Sequence, residues 1–254
     1  MNSDDKINTT GDYTLHLKPG DVGKYILLPG DPFRTDVVAA HFESPEVKAH
    51  NREFRTITGF YKGVRVSTVS TGVGSPSAAI ATHELIDLGA EVILRIGSTA
   101  AIQPKIQRGD LIISTGVVRD DGVSATYVPD GFPCVPDFLL TQLLVNTCES
   151  MKDELGYEYH LGLNACDDAY YVEDESQRIK RLAALGCLNI DMESSIVLNL
   201  CLLRVVRAAF IAAVSENLAN DVGYLEKNDA LKKGIEDEIQ VALETIVSAD
   251  TKFA

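Results

Sequence analysis

Short apolar stretches alternate with helical segments along most of this chain of 254 residues. Strands are predicted at residues 25–28, 54–61, 64–70, 91–96, 110–118, 159–165, 189–192 and 208–214. Helices are predicted between them at residues 34–41, 78–88, 136–152, 177–185, 194–203 and 228–246. Such alternation is typical of a sheet covered by helices, and no linker or repeat divides it. The sequence therefore predicts an α/β fold with a central mixed sheet, as a single domain over residues 13–254 after a flexible tail over residues 1–12.

Composition excludes several classes of function. The formal net charge is −14, whereas proteins that bind nucleic acids or anionic membranes present a basic surface. No stretch approaches the roughly 18 apolar residues that span a bilayer, and the first residues lack the apolar core of a signal peptide. The five cysteines have no metal-ligand spacing, which favours free thiols in a reducing compartment. We therefore expect a cytoplasmic protein without nucleic-acid or membrane partners.

Arginine and glycine at the ends of two strands indicate an anion site. The strand over residues 91–96 contains Arg95 and continues through a glycine to Ser98. The first strand runs into Gly30, and Arg34 follows four residues later. Ligands of such sheets bind at the carboxyl ends of strands, and guanidinium and backbone N–H groups together bind oxyanions. The sequence therefore predicts a phosphate site at this edge of the sheet.

The loop between the strand over residues 64–70 and the next helix is rich in glycine. It contains Gly72 and Gly74, but Ser77 stands where a dinucleotide-binding motif has its third glycine. No acidic residue stands at the position where such a motif contacts a ribose. We interpret the loop as a tight turn that places a helix N-terminus near the site.

Three acidic residues have both a structural and a functional interpretation. Asp191 and Glu193 are two residues apart, which places their carboxylates on one face of a strand. They either cap the following helix or accept hydrogen bonds from the vicinal hydroxyls of a ribose. Glu216 follows the last strand, where it either protonates a leaving group or belongs to an ordinary loop. Both interpretations stay open for each residue.

Six segments resemble, in order and spacing, the nucleoside phosphorylase family of hexameric purine nucleoside phosphorylases and uridine phosphorylases. They are LLPGDPFR, HNREF, STGVGSPS, LRIGSTAAIQPKIQRGDLIIST, DGFPCVPDF and NIDMESS. The longer segments are most similar to those of uridine phosphorylases. The resemblance implies a three-layer α/β/α fold and reversible, phosphate-dependent cleavage of a ribonucleoside to a free base and ribose 1-phosphate. Uridine is slightly favoured as substrate, inorganic phosphate is the co-substrate, and no organic or redox cofactor is implied.

The resemblance also implies roles for individual residues. The phosphate ligands would be Gly30, Arg34, Arg52, Arg95 and Ser98, with Arg52 supplied by a neighbouring subunit. The ribose ligands would be Met192, Glu193 and the neighbour's His16. The base would contact Thr99, Ala100, Tyr170, Gln177, Arg178 and Glu216. The catalytic residues would be Arg95 and Glu216.

Sharing of the site between subunits implies a homo-oligomer. A dimer is the minimum, and the resemblance implies a hexamer made of three dimers. The resemblance also implies a site for a monovalent cation, with potassium as the candidate ion, at positions that match Glu53, Val73 and Ser77. No other metal site is expected.

Several positions around the base depart from the family's pattern. Glu216 stands where purine enzymes have an aspartate, and Asn217 where uridine enzymes have an arginine. Gln177 and Arg178 are shifted from the pair that reads the uracil edge, and Ala100 replaces a glycine. Three alternatives stay open: a purine nucleoside phosphorylase with Glu216 as the base-contacting acid, a nucleosidase, and a non-catalytic nucleoside-binding relative. Retention of the phosphate-binding arginines argues against the nucleosidase.

Overall fold

The computed structural model describes residues 13–220 and 229–253, so the tail predicted over residues 1–12 lies outside the described residues. The strands are β1 (Tyr25–Leu28), β2 (Glu43–Asn51), β3 (Phe54–Tyr61), β4 (Val64–Val69), β5 (Val92–Ala101), β6 (Leu111–Arg119), β7 (Tyr159–Cys166), β8 (Cys187–Asp191) and β9 (Arg207–Asn217). The helices are α1 (Pro32–Ala39), α2 (Ser75–Asp87), α3 (Phe138–Leu155), α4 (Glu175–Ala184), α5 (Ser194–Leu203) and α6 (Asp229–Phe253). Every predicted strand and helix has a counterpart, which confirms the α/β class. The single domain over residues 13–254 stays a prediction.

The described strands form one mixed sheet with helices on both faces. Its order is β2-β3-β4-β1-β5-β8-β7-β6-β9. Leu27 and Leu94 pack with α1, α3 and α6, whereas Ile26 and Ile93 pack on the other face with α2 and α5. Successive residues of a strand point to opposite faces, so a strand covered on both faces needs an almost continuous apolar run. The predicted three-layer α/β/α arrangement with a central mixed sheet is confirmed.

Five strands close into a small barrel at one end of the sheet. β5 pairs with β8 and β9, β9 pairs with β6, and β7 joins β6 to β8. Four of these strands contribute side chains to one apolar cluster: Ala101, Ile112, Leu188 and Val214. β5 continues to Ala101, beyond the end predicted at residue 96, because residues 97–101 pair along β9. Closure brings the end of β9, with its acidic residue, beside the end of β5.

β2 is the one described strand that the sequence did not predict. Its residues are all exposed or half-buried and include Pro45, so the apolar alternation that marks a strand is missing. Polar residues and proline are typical of a strand that protects the edge of a sheet from further pairing. The turn from β2 to β3 carries Arg52 at a φ of 54°. An unpredicted hairpin therefore presents one of the predicted phosphate ligands.

Val205 ends α5 in a backbone conformation that favours glycine. Its φ is 58°, and its N–H donates to the carbonyl of Leu202 (3.3 Å), while the N–H of Val206 donates to the carbonyl of Cys201 (2.9 Å). These bonds define a Schellman cap, in which the left-handed residue is usually glycine. A left-handed conformation costs a residue with a Cβ about 1–2 kcal/mol.

Replacing Val205 by glycine is therefore expected to stabilise the protein. The side chain is 93% exposed, so its removal costs little packing, and glycine's greater chain entropy offsets about 0.5–1 kcal/mol of the relieved strain. The melting temperature should rise by about 2–4 °C, the shift that about 1 kcal/mol produces in a domain of this size. Gly156 caps α3 at a φ of 70° with no atom near its missing Cβ, so Gly156→Val is the matched reverse change and should lower it. An unchanged melting temperature in both variants would contradict this assignment of strain.

Candidate active site

Two glycine loops meet at the carboxyl ends of the parallel strands β1 and β4. The N–H of Thr71 donates to the carbonyl of Pro29 (2.9 Å), and the N–H of Gly72 donates to the carbonyl of Gly30 (2.9 Å). Gly72 has a φ of 69°, and a Cβ on it would lie 2.5 Å from Cγ of Glu53. Only glycine fits at position 72, which agrees with the tight turn that the sequence predicts for this loop. The loops lie where the sequence predicts the ligand site.

The guanidinium of Arg95 lies across these loops. Arg95 is buried in the middle of β5, and its Nη1 donates to the carbonyl of Leu28 (2.9 Å). A Cβ on either Gly30 or Gly97 would lie 3.5 Å from its Nη2. Bare backbone therefore faces the guanidinium from two sides. Gly30 and Arg95 lie next to each other, and their binding of an anion stays a prediction.

Glu193 is held at the N-terminus of α5 with both carboxylate oxygens engaged. Its Oε2 accepts from Nη2 of Arg95 (2.6 Å), and its Oε1 accepts from the N–H of Gly74 (2.7 Å). Both side chains of the ion pair are less than a tenth exposed. A carboxylate has about four lone-pair positions, so about two remain for further donors. Glu193 can therefore accept from two neighbouring hydroxyl groups beside the arginine.

Asp191 has the structural role that the sequence left open. Its carboxylate accepts from the N–H groups of Glu193 (3.2 Å) and Ser194 (2.8 Å) and from Nδ2 of Asn164 (2.8 Å). It therefore caps α5, and this cap turns the next acid toward Arg95. Burial and the nearby Glu193 carboxylate raise the pKa of Asp191. Of the two acids, Asp191 therefore has a structural role at the start of α5, and Glu193 is the one whose carboxylate contacts Arg95.

Arg34 and Ser98 flank the arginine of β5. Arg34 lies half-buried in the first turn of α1, which starts at Pro32 because Asp31 caps it through the N–H of Phe33 (2.9 Å). Ser98 is exposed on β5. Both side chains are accessible to a ligand, as expected of phosphate-binding groups.

Glu238 is a site residue that sequence reasoning missed. This residue of α6 is fully buried, and its Oε1 accepts from the N–H of Gly97 (2.5 Å). Burial raises its pKa to about 8, while the charges of Arg34 and Arg95 and the Gly97 hydrogen bond act in the opposite direction. The sequence does carry one indication of its burial: Glu238 lies four residues before Ala242, on the same helical face as the apolar residues of α6.

His16 and Arg52 lie on two surface segments that are joined by a hydrogen bond. Both are exposed and have positive φ angles of 56° and 54°. Nδ2 of Asn51 donates to the carbonyl of Thr14 (2.8 Å), which ties the two segments together. The N–H groups of Thr14 and Leu15 both donate to the carboxylate of Glu84 on α2 (2.8 Å each). The two segments that carry these residues are thus held together, and both side chains are exposed.

Three of the predicted base contacts, Thr99, Ala100 and Glu216, lie near the ends of β5 and β9. Ala100 pairs with Glu216, whereas Thr99 pairs with Val214, so Ser215 forms a bulge. A bulge changes the direction of the residues after it and is common beside active sites. The hydroxyl of Thr99 donates to the carbonyl of Ile190 (2.8 Å) and accepts from Asn189 (2.8 Å). Thr99 therefore joins β5 to β8, and Ala100 and Glu216 lie opposite each other on β5 and β9.

Asn217 has a structural explanation. Its Nδ2 donates to the carbonyls of Gln103 (3.0 Å) and Ile106 (2.7 Å), and its Oδ1 accepts from the N–H of Ala219 (2.9 Å). The side chain anchors the loop after β5. The position where the resemblance expects an arginine thus holds this loop in place.

The remaining predicted base contacts lie on an exposed segment after β7. Tyr170 is 54% exposed, its ring stacks edge-on against Tyr171, and Gln177 is exposed at the start of α4. Arg178 forms an ion pair with Asp167, a buried acid at the end of β7 that sequence reasoning did not single out. The pair fixes Arg178 at the carboxyl end of that strand.

The three positions of the predicted cation site are partly brought together. The hydroxyl of Ser77 donates to Oε1 of Glu53 (2.7 Å), which lowers the pKa of that carboxyl. Val73 is 76% exposed in the adjoining loop. Oxygen atoms therefore cluster on this surface.

Comparison with known proteins gives the class. A sequence profile of the phosphorylase superfamily matches residues 24–247. The chain is 38% identical over 231 residues to a uridine phosphorylase of Thermococcus kodakarensis, covering 86% of this chain and 82% of that protein. It is 33% identical over 238 residues to a guanosine phosphorylase of Halorubrum lacusprofundi, covering 93% and 97% respectively. The crystal structure of a uridine phosphorylase from Vibrio fischeri matches with a TM-score of 0.87 at 30% identity, covering 95% of this chain and 100% of that one.

The chain belongs to the phosphorylase superfamily. The predicted resemblance to nucleoside phosphorylases, closest to those of uridine phosphorylase type, is confirmed, and so is the nucleoside phosphorylase fold. Inorganic phosphate is the co-substrate of this family.

Proposed function

We propose that this protein is a nucleoside phosphorylase, a pentosyltransferase, that cleaves uridine to uracil and ribose 1-phosphate. The observation that carries the proposal is the buried Arg95–Glu193 ion pair set against the bare backbone of Gly30 and Gly97. It places an anion-binding guanidinium directly beside a carboxylate that can accept from a vicinal diol. Phosphate and ribose are the two groups that such a pair would hold next to each other.

In the proposed reaction, phosphate attacks the ribose that Glu193 holds. A phosphate oxygen bonds to C1′ as the bond from C1′ to the base nitrogen breaks, and its electrons leave with the base. Positive charge develops on the sugar, so the phosphate dianion below and the Glu193 carboxylate beside it stabilise the transition state. Holding both reactants in place supplies much of the remaining acceleration. In this proposal Glu216, at the end of β9, donates a proton to the departing base.

A purine nucleoside is the second candidate substrate. Glu216 lies at the end of β9, where an acid could bond to a purine ring nitrogen, and Asn217 contributes no charge that favours uracil. The relative from Halorubrum lacusprofundi is named a guanosine phosphorylase. Uridine is preferred because relatives named uridine phosphorylases match at up to 38% identity.

We also propose that the active unit is a homo-oligomer, at least a dimer and by resemblance a hexamer. His16 and Arg52 would act on the ligands of the neighbouring copy, since both are exposed and the segments that carry them are joined by a hydrogen bond from Asn51 to Thr14. A potassium ion at Glu53, Val73 and Ser77 would belong to the same surface, with oxygen ligands completed by the second copy.

A cytoplasmic location completes the proposal. The five cysteines are free and buried, which fits a reducing compartment. Within the described parts of the chain, no helix combines the length and hydrophobicity needed to cross a membrane.

The base preference is tested by measuring kcat/KM for uridine, thymidine, inosine, guanosine and adenosine at saturating phosphate. We expect uridine to give the highest value. A higher value for inosine or guanosine would establish the purine alternative. Calorimetric binding of nucleosides without turnover of any of them would instead support the non-catalytic relative.

A further inference from the structure

Glu238 is a buried acid behind the proposed phosphate site for which the reaction as described has no role. Its Oε1 accepts from the N–H of Gly97, while Oε2 is buried and has no hydrogen-bond partner among the described residues. The side chain is fully inaccessible. A carboxylate in such surroundings lacks the donors that normally stabilise its charge, so its neutral form fits the site better.

The charged groups around Glu238 belong to the phosphate site. Arg34 on α1 and Arg95 on β5 act on its charge together with the N–H of Gly97. α3 and β9 contribute apolar side chains and the Cys148 thiol, whose pKa burial raises to about 11, to the same cluster as α6, and Lys233 of α6 donates to the carbonyl of Leu155 on α3 (2.7 Å). The protonation state of Glu238 therefore depends on the charges of the two arginines that would bind phosphate.

The neighbouring acid on α6 is separately paired. The carboxylate of Asp237 accepts from Nζ of Lys233 (2.5 Å), one turn earlier on the same helix. Lys233 is therefore engaged by another residue. Among the described residues, Arg34 and Arg95 are the cations that act on the charge of Glu238.

Charge balance decides which form of Glu238 accompanies a bound dianion. Three guanidinium groups, those of Arg34, Arg95 and the partner subunit's Arg52, would face one phosphate dianion, the Glu193 carboxylate and the nearby Asp191, so no positive charge is left over. An ionised Glu238 would add an unbalanced negative charge beside the dianion, at low dielectric where repulsion is strong. Phosphate and a proton on Glu238 should therefore bind together.

We propose that Glu238 is a positioning residue for phosphate that must hold a proton on its carboxyl group when the phosphate dianion binds. The protonated carboxyl keeps Oε1 as the acceptor for Gly97 and leaves both arginines to the phosphate. Ionisation of Glu238 competes for the same arginines and weakens phosphate binding. This inference rests on the proposed function, because it assumes that phosphate occupies the site.

The test is the pH dependence of the KM for phosphate in the wild type and in Glu238→Gln, whose side chain stays neutral. With a pKa of about 8, about one protein in eleven carries the proton at about pH 9. The wild-type KM should therefore rise about tenfold relative to the variant between about pH 7 and about pH 9. Glu244→Gln, on the same helix but paired with Lys62, should follow the wild type. Parallel profiles for wild type and Glu238→Gln would overturn the proposal.

A second measurement needs no variant. Calorimetric titration of the wild type with inorganic phosphate at about pH 9, in buffers of different ionisation enthalpy, counts the protons taken up on binding. Close to one proton per site is expected, because the phosphate is already a dianion and Glu238 is mostly ionised. Phosphate binding without proton uptake would overturn the role of Glu238 alone. Cleavage that ignores phosphate at every pH would instead contradict the proposed function.

Discussion

Replacing Glu193 by alanine is expected to lower kcat/KM for uridine by about a thousandfold. The carboxylate would accept from both ribose hydroxyls, and a hydrogen bond to a charged group contributes about 1.5–3 kcal/mol. Two such bonds correspond to roughly a hundredfold to ten-thousandfold in rate. The substitution also leaves Arg95 buried without its carboxylate, which disturbs the phosphate ligand as well. Steady-state kinetics with uridine and phosphate measures the loss.

Two controls separate a lost ribose contact from a damaged fold. Glu193→Gln keeps the shape of the side chain and one acceptor oxygen, which can serve either Gly74 or Arg95, so it should disturb the fold less and lose less activity than the alanine variant. With 2′-deoxyuridine, which lacks one hydroxyl, the alanine variant should lose about tenfold less than it does with uridine. Equal losses on the two nucleosides, or activity close to wild type, would place the ribose elsewhere.

Replacing Arg52 by alanine is expected to raise the KM for phosphate by about 10- to 100-fold without destabilising the protein. A guanidinium–phosphate hydrogen bond contributes about 1.5–3 kcal/mol, and Arg52 is exposed at the tip of the β2–β3 hairpin. The KM for the nucleoside should change little. Lys62→Ala is the matched control, because Lys62 is also a cation at a positive φ in a hairpin turn, that between β3 and β4. It should leave the KM for phosphate unchanged.

Mixing subunits tests whether Arg52 acts across an interface. Subunits with Arg52→Ala, combined with subunits with Glu193→Ala, should regain activity, because each mixed pair contains one site with neither change. Homo-oligomers of either variant alone should stay impaired. No recovery in the mixture, with mixed oligomers present, would mean that Arg52 serves its own subunit. An unchanged KM for phosphate in Arg52→Ala would remove it from the site altogether.

The meeting of Gly30 and Arg95 could be predicted from sequence because backbone constraints bring the two residues together. An apolar strand that runs into Gly30, and another that carries Arg95 before Gly97, place both at the same edge of a parallel sheet. Parallel pairing of β1 and β5 then fixes the distance between them, whatever the loops do. The sequence also singles out Glu193 together with Asp191. The hydrogen bonds of the two carboxylates, to Arg95 and to the N–H of Ser194 respectively, were needed to distinguish their roles.

Features that depend on long-range pairing could not be predicted. Closure of the barrel requires β9 to pair with both β5 and β6, and no local periodicity carries that information. Glu238 is more than 140 positions from its hydrogen-bond partner Gly97. The sequence shows Asn217 only as a departure from the arginine of uridine enzymes, whereas its side chain anchors the loop after β5 by donating to two carbonyls. In each case the deciding contact joins residues that are far apart in sequence or hidden within a loop.

The most direct test of the central claim is to incubate the protein with uridine, with and without inorganic phosphate, and to identify both products. We expect uracil and ribose 1-phosphate in equal amounts when phosphate is present, and no uracil when it is absent. Release of uracil with free ribose, at a rate that does not depend on phosphate, would contradict it and make the protein a hydrolase.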